Sequence, residues 1–327
     1  MVASLPMIRR AFLLAVVLLG SSTHAKDKMG ETREVLAGLE AGSLSPTQAA
    51  NRLAFLGTEA AATDALAFAL RQPIDTKVRN AYFEVLAQIA TPHPELLVPA
   101  TNAARTTDDL TFRMNGLRIL GRLKQASSVK VLTPLLTDKV LGVRRESAKA
   151  LIAINASKAA GDLLAAAKVE DDPETRAFML IGVGKLGDPK QAKGLESLLD
   201  SSSESTRLAA TQALCVLGSK KGLEAAKKLL VSKDKFERQQ GVMLFEGATA
   251  KVATPVLTPM LQDPEVSVRA RTARLLAQGG DARLIEWMVV ESYKAPIDDR
   301  LVYETELEQL RLTDDQRAVI LKKAGLK

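Results

Sequence analysis

Cysteine, histidine and aromatic residues are scarce in this chain, and each shortage closes off some chemistry. Among 327 residues there is one cysteine, Cys215, and there are two histidines, His24 and His93. One cysteine cannot build an intrachain disulfide framework. Two histidines, far apart in sequence, leave no clustered ligand set for zinc or other transition metals. Aromatics make up 4% of the chain, with a single Trp and three Tyr. A core of small and medium aliphatics suits close-packed helices better than a β-sandwich. No Gly-rich phosphate loop, Ser-His-Asp set or His-Glu dipeptide occurs, so no enzymatic motif, metal site or cofactor is expected. The formal net charge of +7 is too mild to indicate nucleic acid.

Long apolar runs are also missing. The longest, Ala11–Leu19, follows Arg9 and Arg10 and precedes Thr23-His24-Ala25, and it has about half the ~20 residues a spanning helix needs. This order of basic, apolar and small residues reads as a secretory signal peptide over residues 1–25, cut before Lys26-Asp27-Lys28. The expected address is therefore outside the cytoplasm, periplasmic or extracellular, with no membrane span. Removal of the segment takes two arginines and leaves a balance of +5.

What the chain does have is an internal repeat. Arginines stand at 79, 113, 144, 176, 207, 238, 269 and 300, with spacings of 34, 31, 32, 31, 31, 31 and 31. Seven residues after each comes Leu86, Leu120, Leu151, Val183, Leu214, Phe245, Leu276 or Leu307. Ten after comes Ile89, Leu123, Ile154, Leu186, Leu217 or Leu310, with Ala248 and Gly279 as exceptions. These steps lay one apolar stripe along a helix. A second apolar cluster, such as Leu132, Leu135 and Leu136, follows in most repeats after turn signals such as Leu186-Gly187-Asp188-Pro189. Each repeat is thus helix A, a turn, helix B and a turn, and stacked pairs must share one core. The expected fold is all-α, an α-solenoid of about nine stacked helical hairpins.

Asp263-Pro264-Glu265-Val266-Ser267-Val268-Arg269 and the turn Leu186-Gly187-Asp188 resemble HEAT repeats, specifically the short 31-residue kind related to phycobilisome-lyase-like repeats. The resemblance covers roughly residues 75–300. It implies a solenoid that serves partners and does not name one. Lys124 and Asn155 stand where that pattern has a turn glycine. The expected organisation is a signal peptide over 1–25, an N-terminal cap and degenerate repeat over 26–74, HEAT-like repeats over 75–293, and a C-terminal capping repeat over 294–327. Ser45-Pro46, Asp263-Pro264 and Thr313-Asp314-Asp315-Gln316 read as helix starts, while Glu304, Glu306 and Glu308 make the last repeat polar.

The laddered Arg79, Arg113, Arg144, Arg176, Arg207, Arg238, Arg269 and Arg300 read as structural, bonding acids or carbonyls of neighbouring repeats. Cys215 reads as a small core hydrophobe, His93 as a loop residue, and Trp287 as a closure of the core, beside the alternative of a partner anchor. Charge is uneven: residues 113–168 carry 11 basic and 3 acidic side chains. Positions +1, +5 and +9 from the ladder arginine share one stripe of helix A, opposite +7 and +10. In two adjacent repeats that stripe holds Arg118 and Arg122, then Arg145 and Lys149, whereas others carry Ile181 or Gln212. These four are the candidate partner-binding residues, for an acidic protein, beside the alternative of an ordinary solvated helix face. The expected function is an exported, monomeric, non-enzymatic scaffold or adaptor in the cell envelope. The alternatives are a lyase-like or enzyme-associated subunit, or a binder of anionic envelope polymers.

Overall fold

The computed structural model describes residues 23–72, 74–89, 93–106 and 108–326. Residues 1–22, most of the expected signal peptide, lie outside them. The chain divides into two compact units, one ending at Ala159 and the other beginning at Ala160. Among the described residues every regular element is helical, and the protein is an all-α solenoid of helical hairpins.

The first unit contains α1 (Thr23–Glu40), α2 (Pro46–Leu56), α3 (Glu59–Ala69), α4 (Thr76–Gln88), α5 (Leu97–Arg105), α6 (Leu110–Leu123), α7 (Val129–Leu132) and α8 (Leu141–Ala153). The second contains α9 (Ala160–Val169), α10 (Pro173–Leu186), α11 (Ala192–Glu196), α12 (Glu204–Val216), α13 (Lys220–Leu230) and α14 (Lys235–Met243). It continues through α15 (Ala250–Leu257), α16 (Val266–Gln278), α17 (Arg283–Lys294), α18 (Ile297–Glu308) and α19 (Asp314–Lys323). The ladder arginines lie on α4, α6, α8, α10, α12, α14, α16 and α18, the A helices of successive repeats.

Local chemistry sets the boundaries. Asp75, Asp109, Asp172, Ser203 and Asp234 cap A helices by accepting backbone N–H bonds in the first turn. Ser45 and Thr313 complete reciprocal capping boxes with Gln48 and Gln316. The Asp263-Pro264 start is two residues early: α16 begins at Val266, and the Asp263 carboxylate, engaged by Arg238, accepts from the Glu265 amide just before it.

Helix ends repeat as well. The residue eleven after the ladder arginine is left-handed in six repeats: Lys124 (φ 50°), Asn155 (58°), Gly187 (71°), Gly218 (69°), Gly280 (112°) and Arg311 (54°). Lys124 and Asn155 therefore take the glycine geometry without being glycine. The Arg238 repeat differs, turning at Gly247 (φ 86°), nine residues on. That early turn shortens α14 to nine residues and explains why Ala248 breaks the apolar pattern.

All eight +7 side chains are buried, from Leu86 to Leu307. Facing them from the second helical stretch are buried residues such as Leu132, Leu195 and Leu257. Glycine decides how closely A helices approach. A Cβ on Gly184 would lie 2.6 Å from the Ala213 Cα, and one on Gly121 3.0 Å from the Ala150 Cα. So α10 packs tightly on α12, and α6 on α8. The matching pair between α12 and α14 is Cys215 and Leu244, both larger. There α14 leans on α13 and α16, makes little contact with α12, and leaves a groove.

Candidate functional site

The ladder forms first from the chain's own geometry. Five arginines reach back to the carbonyls six and five residues earlier, in the loop that precedes their own helix. Arg144 bonds the Asp138 carbonyl at 2.9 Å, Arg207 that of Ser201 at 2.8 Å, and Arg238 that of Ser232 at 3.0 Å. Arg176 bonds the Glu170 carbonyl at 2.6 Å and Arg269 that of Asp263 at 2.6 Å. Arg113 instead reaches the Ala104 carbonyl at 3.0 Å, and Arg300 that of Ser292 at 3.2 Å. Arg79 lies 4.2 Å over the Phe112 ring. Forward links to the next repeat include Arg113 to Asp138 (2.6 Å), Arg238 to Asp263 (2.7 and 3.0 Å), Arg176 to Thr206 (3.5 Å) and Arg269 to the Tyr303 side chain. These guanidiniums hold each loop against the following helix.

The stripe beside the ladder is where repeats differ. In the first unit, α6 and α8 enclose a concavity of about 230 Å³. Arg118, Arg122 and Lys149 line it, as do Lys124 and Glu146, over a floor that includes Leu117, Gly121 and Ala150. Arg145, the fourth candidate, is not among the lining residues. Glu146 is mostly covered, with 12% of its side chain exposed, and lies 3.0 Å from Lys149 Nζ and 3.7 Å from Arg118 Nε. Arg122 Nη1 donates to the Ile89 carbonyl at 2.5 Å, just past the end of α4. Burial, and then the neighbouring Arg118 charge, push the Arg122 guanidinium below its ordinary value.

In the second unit the same stripe mixes apolar and amide side chains, with Ile181, Leu208 and Met243 beside Gln212 and Gln239. The groove of about 390 Å³ where α14 stands off α12 is lined by Ile181, Leu208, Gln212, Phe236 and Met243, with Arg271 at its rim. Phe236 and Met243 are exposed.

The model for "HEAT repeats" matches residues 97–177 and 161–244. Residues 97–244 carry HEAT repeats. A comparison with curated proteins finds no match. Among solved structures, the chain is similar to the complex of CpcE and CpcF of phycocyanin lyase from Nostoc sp. PCC7120. That likeness has 17% identity and a TM-score of 0.48, covering 75% of this chain and 93% of that one. Another is Kap121p bound to Nup53p, at 12% identity and TM-score 0.48, covering 94% of this chain and 41% of that one. Human deoxyhypusine hydroxylase follows at 18% identity and TM-score 0.31, covering 79% and 98%. Likenesses this distant carry no functional argument.

The remaining singled-out residues have structural surroundings. Cys215 is fully buried, its Sγ donating to the Gly222 carbonyl at 3.6 Å, and burial pushes the thiol up to about 12. His93 is half-buried and accepts from the Glu95 amide at 3.4 Å, with Asp64 3.3 Å from its Nε2. Trp287 packs edge-on to Tyr303 at 5.8 Å and joins the last apolar cluster with Met288, Val289 and Leu307.

Glu306 points inward, is 5% exposed, and bonds Arg271 at 2.9 Å and Arg274 at 2.6 Å. Arg274 also bonds Glu246 at 3.1 Å. Burial alone would depress the Arg274 guanidinium, but these two carboxylates raise it. Sequence reading missed this network and missed Glu146 and Lys124 in the basic concavity. Their signals were present: Glu146 stands beside Arg145, and Lys124 occupies the +11 turn position.

Proposed function

We propose that this HEAT-repeat protein is an exported, non-enzymatic scaffold that binds an acidic protein of the cell envelope through the outward stripe of its A helices. One observation carries the reading. The ladder arginines repeat and engage the chain's own loops, while the neighbouring +1, +5 and +9 stripe changes from cationic at Arg118, Arg122 and Lys149 to largely uncharged at Ile181, Gln212 and Met243. A constant frame with a variable face is how a solenoid presents a specific surface. Among the described residues no helix is long and apolar enough to cross a membrane.

The test is capture from an envelope extract by the full chain and by an Arg118→Glu/Lys149→Glu variant, with mass spectrometry of what is retained. Arg122 is left unchanged, because reversing it would also release the Ile89 carbonyl. Reversal should preserve helical content and reduce capture of the same proteins at low salt, where steering is strongest. Equal capture by both chains at every salt concentration would contradict the reading. A second reading, a binder of anionic envelope polymers, is favoured by the surplus of cations in the concavity. Under that reading added polyanion competes with retention and the retained material is polymer. For export, mass spectrometry should find a mature N-terminus within a few residues of Lys26. An intact Met1 on the envelope form would contradict it.

A further inference from the structure

We infer that the concavity between α6 and α8 is a seat for a single Asp or Glu side chain from an acidic segment of the partner, and that Glu146 holds that seat ready. The inference rests on the scaffold reading and adds the chemistry of the contact. At about 230 Å³ the concavity is smaller than the ~300–1,000 Å³ of cofactor and small-molecule sites, so it fits a side chain. Its floor is apolar and small, with Gly121 set against Ala150, which suits a short aliphatic stem. Its rim is cationic. Arg118, Arg122, Lys124 and Lys149 face one acid, Glu146, a surplus of three positive charges.

Preorganisation distinguishes this rim from a solvated helix face. Lys149 and Arg118 are long side chains that would lose rotamer freedom on binding. Glu146 lies between them, 3.0 and 3.7 Å away, and already restricts both. Arg118 is further braced by the Asn115 side chain at 3.1 Å. Arg122 is anchored through Nη1 to the Ile89 carbonyl. An incoming carboxylate offsets the repulsion between Arg118 and Arg122 and can accept from the guanidiniums. Glu146 cannot do this for Arg122, since its contacts are with Arg118 and Lys149.

The experiment is fluorescence anisotropy of a labelled peptide of alternating Glu and Ala on the full chain at low salt. Arg118→Gln/Lys149→Gln should weaken binding by about tenfold or more, as expected when charge-assisted bonds are lost. Ala153→Leu fills the exposed end of the concavity without changing charge, and should weaken it similarly. Lys220→Gln/Lys221→Gln removes the same charge from α13 in the other unit and should change binding less than about twofold. Equal weakening by both charge pairs, or none by Ala153→Leu, would overturn the inference. So would inorganic polyphosphate that outcompetes the peptide at equal charge and ignores Ala153→Leu. A chain that captures its envelope partner yet leaves the peptide unbound would overturn the side-chain seat and leave the scaffold reading standing.

Discussion

Arg113 donates to the carboxylate of Asp138 at 2.6 Å, and the two are separated by 25 residues. The backbone carbonyl of the same aspartate accepts from Arg144 at 2.9 Å. One residue thus joins two successive ladder arginines, and Asp263 does the same between Arg238 and Arg269.

The first prediction follows from that joint. Arg113 is buried, so removing its carboxylate partner leaves a poorly compensated guanidinium. Asp138→Ala should lower unfolding free energy by about 2 kcal/mol, against less than about 0.5 for Asp162→Ala on an exposed site. Burial would raise the Asp138 carboxyl, but bonds from Arg113 and the Val140 amide outweigh it and hold it below the ordinary value. A carboxyl depressed on folding contributes fully above its unfolded value, near ~3.9, and loses that contribution as pH falls through the folded value. The difference between wild type and Asp138→Ala in urea melts should therefore be constant at neutral pH and shrink below about pH 4.

A second prediction concerns the left-handed turn position. Lys124 adopts φ 50° without the freedom of glycine, whereas Asn155 at φ 58° is a residue type that tolerates it better. Lys124→Gly should stabilise the protein by about 1 kcal/mol, Asn155→Gly by less, and Gly187→Ala should destabilise it by about 1 kcal/mol. Thermal melts of the three variants check the order. A Gly187→Ala chain as stable as wild type would refute the shared geometry.

The buried network of the second unit gives a third. Glu306→Ala leaves Arg271 without its carboxylate partner and Arg274 with only Glu246, and should cost about 3 kcal/mol. Glu308→Ala, two residues away on an exposed position, should stay within about 0.5 kcal/mol. Denaturation midpoints at unchanged slope report both.

The fourth is chemical. With its thiol buried and pushed up to about 12, Cys215 should not react with a disulfide-exchange reagent near pH 8 in the native chain. It should react fully once denaturant opens the core. Rapid native labelling would mean that the region around α12 opens readily.

Much of the fold was legible because a solenoid writes its architecture once per repeat. Arg176, Val183 and Leu186 recur at the same offsets in neighbouring repeats, and the caps Asp172 and Ser203 are local signals. What escaped depends on contacts between repeats. The shift of the left-handed turn from eleven residues to nine, at Gly247, looks minor in sequence, yet it shortens α14. With Cys215 and Leu244 in place of a Gly–Ala contact, it accompanies the apolar groove. The basic stripe was read from helical phase, which places Arg118 and Lys149 well enough. Phase does not show that Arg122 turns back to Ile89, that Glu146 fills the middle, or that Arg145 lies apart. Nor does phase show that Glu306 turns inward, since its arginine partners stand 32 and 35 residues away.

The central claim is that the ladder is frame and the adjoining stripe is the binding face. Hydrogen–deuterium exchange of the full chain, with and without its captured envelope partner, tests it most directly. The account predicts new protection in α6 and α8, around Arg118, Arg122 and Lys149, with the ladder loops at Asp138, Ser201 and Asp263 unchanged. Protection confined to those loops, with α6 and α8 exchanging as in the isolated protein, would contradict it.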